Sequence, residues 1–203
     1  MKQGRGARIF AAVCIGFLCA LTFSAFTDFD RTCREVRQDV IRLHVLANSD
    51  GAEDQALKLK VRDRVLEQVD ALYKEGQSRD QMEQALAQNR ALLQRTAEET
   101  VREAGYAYPV SVELADCYFS TRDYESFTLP AGTYRALRVV IGAGKGKNWW
   151  CVAFPPLCLP AGQEEALSAF SPEETEIITH PEKYQVKFAA VEFLENVKAR
   201  LGL

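Results

Sequence analysis

The hydrophobic pattern begins with a continuous apolar run, the 18 residues from Ile9 to Phe26, which contains no charged side chain. An α-helix of that length is about 27 Å long, close to the hydrocarbon thickness of a bilayer. A buried helix of a soluble domain is the alternative, but a run that is apolar on every side favours a membrane segment. Three basic residues precede the run: Lys2, Arg5 and Arg8. This order is typical of an export signal or signal anchor, with the basic end kept in the cytoplasm.

We therefore divide the chain into residues 1–27, a signal peptide or signal anchor, and residues 28–203, an exported domain. Small residues at Thr22, Ser24 and Ala25 slightly favour a cleaved signal, although no Ala-x-Ala motif is present. All 28 acidic residues but only 22 of the 25 basic ones lie beyond residue 27, so the exported domain has a formal charge of −6. Such an acidic domain is a poor candidate for binding nucleic acid.

Beyond residue 27, the spacing of apolar residues predicts a strand followed by two helices. Alternation within Val36–Ala47 predicts the strand, and Asn48–Gly51 reads as a turn. An apolar stripe at helical spacing predicts a helix from about Glu53 to Tyr73. The segment Ser78–Gln81 matches a capping box and opens a second helix that ends near Gly105. The short link between these helices predicts an antiparallel αα-hairpin.

The second half of the exported domain changes to the period of β-strands. Alternation predicts strands at Val110–Ala115, Tyr134–Ile141 and Trp149–Phe154. A short helix is predicted to start at Ser171-Pro172, and a last amphipathic helix covers about Pro181–Leu201. This order predicts an α+β fold, with a small mixed, mainly antiparallel sheet backed by the αα-hairpin and the C-terminal helix.

The glycine-rich segment Gly142–Asn148 resembles a phosphate-binding loop only superficially. A P-loop needs a glycine five residues before its Gly-Lys pair, but Ile141 and Val139 occupy those places, and neither lysine is followed by Ser or Thr. We therefore expect no nucleotide. Two interpretations remain, a flexible connection between strands and an exposed contact loop that leads into two tryptophans.

Candidate catalytic residues are sparse. The chain has two histidines, His44 and His180, and neither lies at a zinc-site spacing from a cysteine or from the other. His44 with Ser49 and Asp50 is the material for a base and a nucleophile, without a Gly-x-Ser-x-Gly elbow. We expect no enzyme activity, no metal and no cofactor. An extracytoplasmic hydrolase, for example one acting on peptidoglycan, is the alternative.

Four of the six cysteines lie in the exported domain, where disulfides are stable. Cys151 and Cys158 bracket a Pro-Pro bend, so they either pair across the turn or remain two buried thiols. Cys33 and Cys117 have no obvious partner.

Three segments of the chain resemble the stage II sporulation protein R family. The first is IRLHVLANSD from Ile41 with DQALKLKVRD from Asp54. The second is LPAG from Leu129 with YRALRVVIG from Tyr134, and the third is GKGKNWWCV from Gly144, followed by FPPLC. With the N-terminal segment and the final amphipathic helix, the resemblance covers nearly the whole chain.

The resemblance implies a signalling protein of endospore-forming bacteria, made in the forespore and exported into the space between the two septal membranes. There it would activate a membrane-embedded aspartic protease of the mother cell, which matures the sigma-E precursor. The family is not known for catalysis. A passive scaffold of the septum is the alternative.

Within this interpretation, activation requires a surface that binds the extracytoplasmic face of the protease. The candidate surface combines the turn after the first strand, the polar face of the first helix and the glycine-rich loop. Its candidate partner-binding residues are Asn48, Ser49, Asp50, Gln55, Lys58, Lys60, Arg62, Asp63, Lys145, Lys147, Asn148, Trp149 and Trp150. For any single charged residue of the helix, an ordinary solvated position is the alternative.

Overall fold

The computed structural model describes residues 3–157 and 166–201 of the chain. The helices are α1 (Gln3–Asp39), α2 (Ala52–Leu72), α3 (Arg79–Gln88), α4 (Arg90–Glu103), α5 (Pro172–Thr179) and α6 (Gln185–Leu201). The strands are β1 (Ile41–Leu46), β2 (Val110–Phe119), β3 (Arg122–Asp123), β4 (Thr128–Leu129), β5 (Gly132–Ile141) and β6 (Asn148–Phe154). The predicted α+β class is confirmed.

Four strands form the main sheet in the order β2-β5-β1-β6, and β3 pairs with β4 in a separate ribbon. β1 and β5 run parallel, with Leu43 opposite Leu137, whereas β2–β5 and β1–β6 are antiparallel. The predicted mixed, mainly antiparallel sheet is therefore confirmed. Because β1 and β5 point the same way, the loops that follow them leave the sheet at the same edge.

One face of this sheet forms the main core with α2 and α4. Leu43 and Val139 of the strands pack in one cluster with Val61 and Val65 of α2 and Leu93 of α4. All five side chains are fully buried. Burial of each aliphatic side chain of this size contributes about 1.5–3 kcal/mol, so this interface supplies much of the folding free energy.

The opposite face carries a second core with a buried arginine at its centre. The Arg42 side chain is fully buried, and its guanidinium carbon lies 4.4 Å from the ring centre of Phe119 and 5.1 Å from that of Tyr134. The end of α1 contributes Val36 and Val40 to the same cluster. The N-terminal helix therefore enters the core of the domain.

α1 continues beyond the apolar run to Asp39, so the predicted strand is wrong before Ile41. Phe29, Cys33 and Val36 recur at spacings of four and three residues and are buried, which is the period of a helix packed on one side. True alternation begins only at Ile41. The domain boundary predicted after residue 27 falls inside this continuous helix.

α6 packs beside the part of α1 where the side chains change from exposed to buried. The ring centre of Phe29 lies 5.1 Å from that of Phe188 and 5.4 Å from that of Tyr184. Further along both helices, Arg37 and Glu195 form an ion pair at 3.9 Å. Since later residues of α1 meet later residues of α6, the two helices run in the same direction.

Two predicted helix boundaries differ from the structure. The single helix expected after Ser78 is divided at Asn89, whose side-chain Nδ2 donates to the carbonyl one turn earlier at 2.9 Å and competes with the helical backbone bonds. The capping box formed by Ser78 and Gln81 is confirmed. The C-terminal helix begins at Gln185, because Pro181–Lys183 form a separate 3-10 turn.

Candidate functional site

The loops that follow the parallel strands β1 and β5 lie against each other. We call residues 47–51 the first loop, residues 142–147 the second loop, and the two together the paired loops. The backbone N–H of Gly146 donates to the carbonyl of Ala47 at 2.9 Å, and that of Lys145 donates to the carbonyl of Asn48 at 3.2 Å. The glycine-rich loop is therefore bound to the first loop, which argues against its interpretation as a merely flexible connection.

Side chains of the first loop reinforce this pairing. Asn48 Oδ1 accepts a hydrogen bond from the backbone N–H of Ala143 at 3.0 Å, and Asp50 Oδ1 accepts one from that of Lys147 at 2.6 Å. Asn48 and Asp50 thus satisfy backbone donors that the turn leaves without partners of their own. Both are predicted partner-binding residues, and in the structure their side-chain oxygens bind the backbone of the second loop.

Glycine is required where the second loop meets the first. Gly142 and Gly144 both have φ +60°, a conformation that residues with a Cβ seldom adopt. A Cβ on Gly142 would overlap the side chain of Asn48, and a Cβ on Gly146 would overlap the carbonyl of Ser49. The glycines of this segment therefore permit close contact between two loops rather than a phosphate cradle.

Asp54, in the first turn of α2, accepts hydrogen bonds from side chains of the first loop. Its Oδ2 accepts hydrogen bonds from Ser49 Oγ at 2.5 Å and from Asn48 Nδ2 at 2.9 Å. These bonds, that from Ser49 foremost, lower the pKa of the buried Asp54 carboxyl. Asp54 was not among the predicted site residues, although an acidic residue at the start of a helix after an Asn-Ser turn is a readable signal.

Lys58, one turn further along α2, is a buried cation beside the paired loops. Its side chain is 4% exposed, and Nζ donates to Gln55 Oε1 at 2.7 Å and to the carbonyl of Lys147 at 3.0 Å. Burial lowers the pKa of Lys58, and the positive charge of Arg62 acts in the same direction. Among the described side chains no carboxylate forms an ion pair with it, although the negative charge of Asp50 acts to raise its pKa.

A tryptophan and an arginine form the exposed rim beside Lys58. The guanidinium carbon of Arg62 lies 4.2 Å from the ring centre of Trp149, which is 36% exposed. Arg62 also pairs with Asp63 at 2.6 Å. The side chains of Lys145 and Lys147 are exposed on the neighbouring loop. An aromatic ring beside an arginine, next to a loop with two exposed lysines, can bind an acidic protein surface.

The remaining predicted residues do not all join this surface. Lys60 lines a groove between α2 and α4, away from the paired loops, and Asp63 lies at the edge of that groove. Gln55 supports the first loop, since its Nε2 donates to the carbonyl of Ser49 at 2.9 Å. The residues cluster only in part, because successive positions of a helix point in different directions.

The two tryptophans lie on opposite faces of the sheet, as the alternation of a strand requires. Trp150 is half-buried, and its ring centre lies 5.3 Å from that of Phe119 and 6.3 Å from that of His44. Asn148 is exposed and interacts with the His44 side chain. Trp150 therefore contributes to the second core, whereas Trp149 remains available to a partner.

His44 is not assembled with a nucleophile. Burial lowers its pKa, and its ring lies beside Asn148, Phe119 and Trp150, none of which is a nucleophile. The Ser49 hydroxyl is bonded to Asp54, and Asp50 accepts from the loop backbone. His44, Ser49 and Asp50 thus form no triad, which removes the residues on which the hydrolase alternative depends.

The structure records Cys151 as disulfide-bonded. Cys158, its predicted partner, lies outside the described residues, so this pairing stays a prediction. Cys33 is a buried free thiol and Cys117 a half-buried one. No group of three or more His, Cys, Asp or Glu side chains that could hold a metal occurs in residues 3–157 and 166–201.

An apolar N-terminal helix thus leads into an α+β domain whose loops after β1 and β5 are hydrogen-bonded to each other. The chain belongs to the stage II sporulation protein R family, whose model matches residues 37–164. That range contains both loops, α2 and β6.

The chain is also 36% identical over 123 residues to the Stage II sporulation protein R of Bacillus subtilis (strain 168). The match covers 61% of this chain and 55% of that relative, so the chain aligns with about half the length of the curated protein. No solved structure matches the chain. Family membership supports a role in sporulation, and the apolar part of α1, with a mean hydropathy of 1.8, is compatible with a signal or a membrane anchor.

Proposed function

We propose that this protein is an exported sporulation signal that activates a membrane-embedded aspartic protease on its extracytoplasmic side and thereby starts maturation of the sigma-E precursor. In this proposal the protein is made in the forespore and acts between the two septal membranes. It acts by binding and performs no chemistry of its own.

The observation that carries the proposal is the exposed rim formed by Arg62, Trp149, Lys145 and Lys147 around the paired loops. These four side chains come from α2, β6 and the second loop. Arg62 lies against Trp149, and both lysines are exposed on the loop that leads into β6. Most side chains beneath them are occupied by internal hydrogen bonds, which fix the rim before any partner arrives. A preformed surface loses less conformational entropy on binding than a flexible one.

In this proposal nine of the thirteen predicted partner-binding residues divide into two groups. The rim residues contact the protease, and the residues beneath position them: Asn48, Ser49, Asp50, Gln55 and Lys58. The positive rim selects an acidic surface on the extracytoplasmic face of the protease. Activation then requires that the rim binds the active arrangement of the protease more tightly than the inactive one.

The decisive experiment expresses this chain with the protease and its precursor substrate in a non-sporulating host and follows precursor cleavage by immunoblot. Cleavage that depends on this chain supports the activator, and absence of cleavage with all three proteins present contradicts it. A passive scaffold predicts co-purification of chain and protease without any change in cleavage.

A second comparison tests the rim itself. The triple variant Lys145→Ala, Lys147→Ala, Trp149→Ala should abolish most cleavage while the domain remains folded, because these side chains are exposed. Lys74→Ala is the matched control, since Lys74 is an exposed lysine at the other end of α2. Undiminished cleavage with the triple variant would overturn the assignment of the rim. No described contact favours the hydrolase alternative.

A further inference from the structure

The start of α6 lies beside the place where α1 changes from a fully exposed helix into a core helix. Phe23 on α1 is 70% exposed, whereas Phe29 is 3% exposed. Between them, Lys187 Nζ reaches the carbonyl of Ala25 at 3.5 Å. If α1 crosses a membrane with its apolar run, this contact marks the level of the bilayer surface.

The residues around this contact have the chemistry of a membrane boundary. Lys187 Nζ lies 5.4 Å from the ring centre of Phe29 and 5.5 Å from that of Tyr184. A lysine ammonium beside aromatic rings at the end of an apolar helix is an arrangement that anchors proteins at the headgroup level. Asp28 and Arg31, which follow the apolar run on α1, are exposed.

A large aliphatic side chain projects from the start of α6, beside this contact. Val186 is 84% exposed, the highest value among the large hydrophobic residues of the described domain. It is the second residue of α6 and adjoins Lys187, so it lies at the level of the α1 boundary. Exposure of valine to water at this position is unfavourable, whereas contact with lipid is favourable.

We infer that the corner formed by Tyr184, Val186 and Lys187 is a second membrane contact, seated in the headgroup region of the bilayer that α1 enters. Val186 inserts at the boundary of the acyl chains, and Lys187 extends along the rings towards the lipid phosphates. Together with α1 this contact holds the domain at a fixed tilt. The inference concerns lipid and does not depend on the identity of any protease.

The outer face of α6 offers an internal control for this inference. Phe193 is 67% exposed and follows Val186 by two helical turns. Since α6 runs in the same direction as α1, Phe193 lies about 10 Å further from the bilayer. Lipid should therefore reach position 186 and not position 193, whereas a protein partner or a second copy along α6 would cover both.

The test places a tryptophan at each position in turn. Full-length Val186→Trp and Phe193→Trp chains are synthesised without cells into vesicles of phosphatidylcholine and phosphatidylglycerol, with or without brominated acyl chains. The emission of Trp149 and Trp150 in the unchanged chain is subtracted as background. Brominated lipid should quench most of the added emission at position 186 and little at position 193, while aqueous acrylamide should do the opposite.

Every other pattern overturns the inference. Quenching by brominated lipid at neither position means that the corner is free of the bilayer. Equal quenching at both positions means that α6 lies flat on the membrane. Protection of both positions from brominated lipid and from acrylamide means that a protein surface covers α6. Circular dichroism checks that each variant retains the fold.

Discussion

Arg42 and Arg62 both lie against aromatic rings, Arg42 at the centre of the second core and Arg62 at the surface. Arg42 is fully buried and its guanidinium carbon lies 4.4 Å from the ring centre of Phe119. Arg62 lies 4.2 Å from the ring centre of Trp149, which is exposed to solvent. Almost the same contact distance therefore serves two different purposes.

The difference lies in what else surrounds each cation. Arg42 Nε donates to the carbonyl of Cys151 at 3.1 Å and Nη2 donates to the Tyr124 hydroxyl at 2.7 Å, whereas Nη1 has no partner within the described residues. Removal of this side chain leaves a cavity lined with polar groups. Removal of Arg62 exposes one face of Trp149 to water, which costs little. Buried cation–aromatic contacts thus maintain the fold, and exposed ones present a surface.

The largest predicted effect therefore concerns Arg42. Arg42→Ala should lower the free energy of unfolding by about 3–5 kcal/mol, because it removes a large buried side chain and two hydrogen bonds. Arg42→Met keeps most of the volume and removes the charge, so it should lose clearly less. Urea denaturation followed by circular dichroism measures both. Equal losses for both variants would show that the charge, rather than the packing, stabilises this core.

The next effect in size concerns the contact between the paired loops. Gly142→Ala forces a Cβ both into a positive-φ conformation and against Asn48, and should cost about 2–4 kcal/mol. Gly76→Ala is the matched control, because Gly76 has φ +72° but no atom near its Cβ. The control should cost about 1–2 kcal/mol by strain alone. Equal losses by thermal unfolding would contradict close packing of the two loops.

The architecture was predictable where one hydrophobic period extends over many residues. The two faces of β5, the capping box at Ser78 and the helix start at Ser171-Pro172 follow directly from local patterns, and the structure contains them. The strand start near Val36 was not predictable in the same way. Residues 36–40 fit both the helical and the strand period in a short window, and the packing of Val36 and Val40 in the second core favours the helix.

The sequence predicts which loops form the candidate site, but not which role each residue has within it. Nothing in the sequence separates Lys58, which is buried below the loops, from Lys60, which lines a distant groove. That distinction depends on the direction in which each side chain leaves α2. Asp54 was missed because its role is defined by Ser49 and Asn48, which meet it only after the turn has folded.

A smaller effect is expected at Asp54 and depends on pH. Hydrogen bonds lower its folded pKa, so its contribution to stability is present above the unfolded value of about 3.9 and is lost as the pH falls through the folded value. Asp54→Asn should lower the free energy of unfolding by about 1–2 kcal/mol near neutral pH and by less in acid. Urea unfolding at both pH values measures this.

The control for this prediction is Asp70→Asn, which changes an exposed carboxylate further along the same helix. Its loss should be small, because the side chain is exposed. If Asp54→Asn lost the same amount at neutral and acid pH, the carboxylate would not be the group that holds the first loop.

The smallest effect on stability is expected at the surface pair, and it separates the two arginines most clearly. Arg62→Ala and Trp149→Ala should each change the free energy of unfolding by less than about 1 kcal/mol, with a coupling of about 0.5–1 kcal/mol in a double-mutant cycle. In the co-expression assay either change should reduce precursor cleavage strongly. If the rim served only stability, either change would lower the free energy of unfolding measurably and leave precursor cleavage unchanged. Arg62 would then have the same structural role as Arg42.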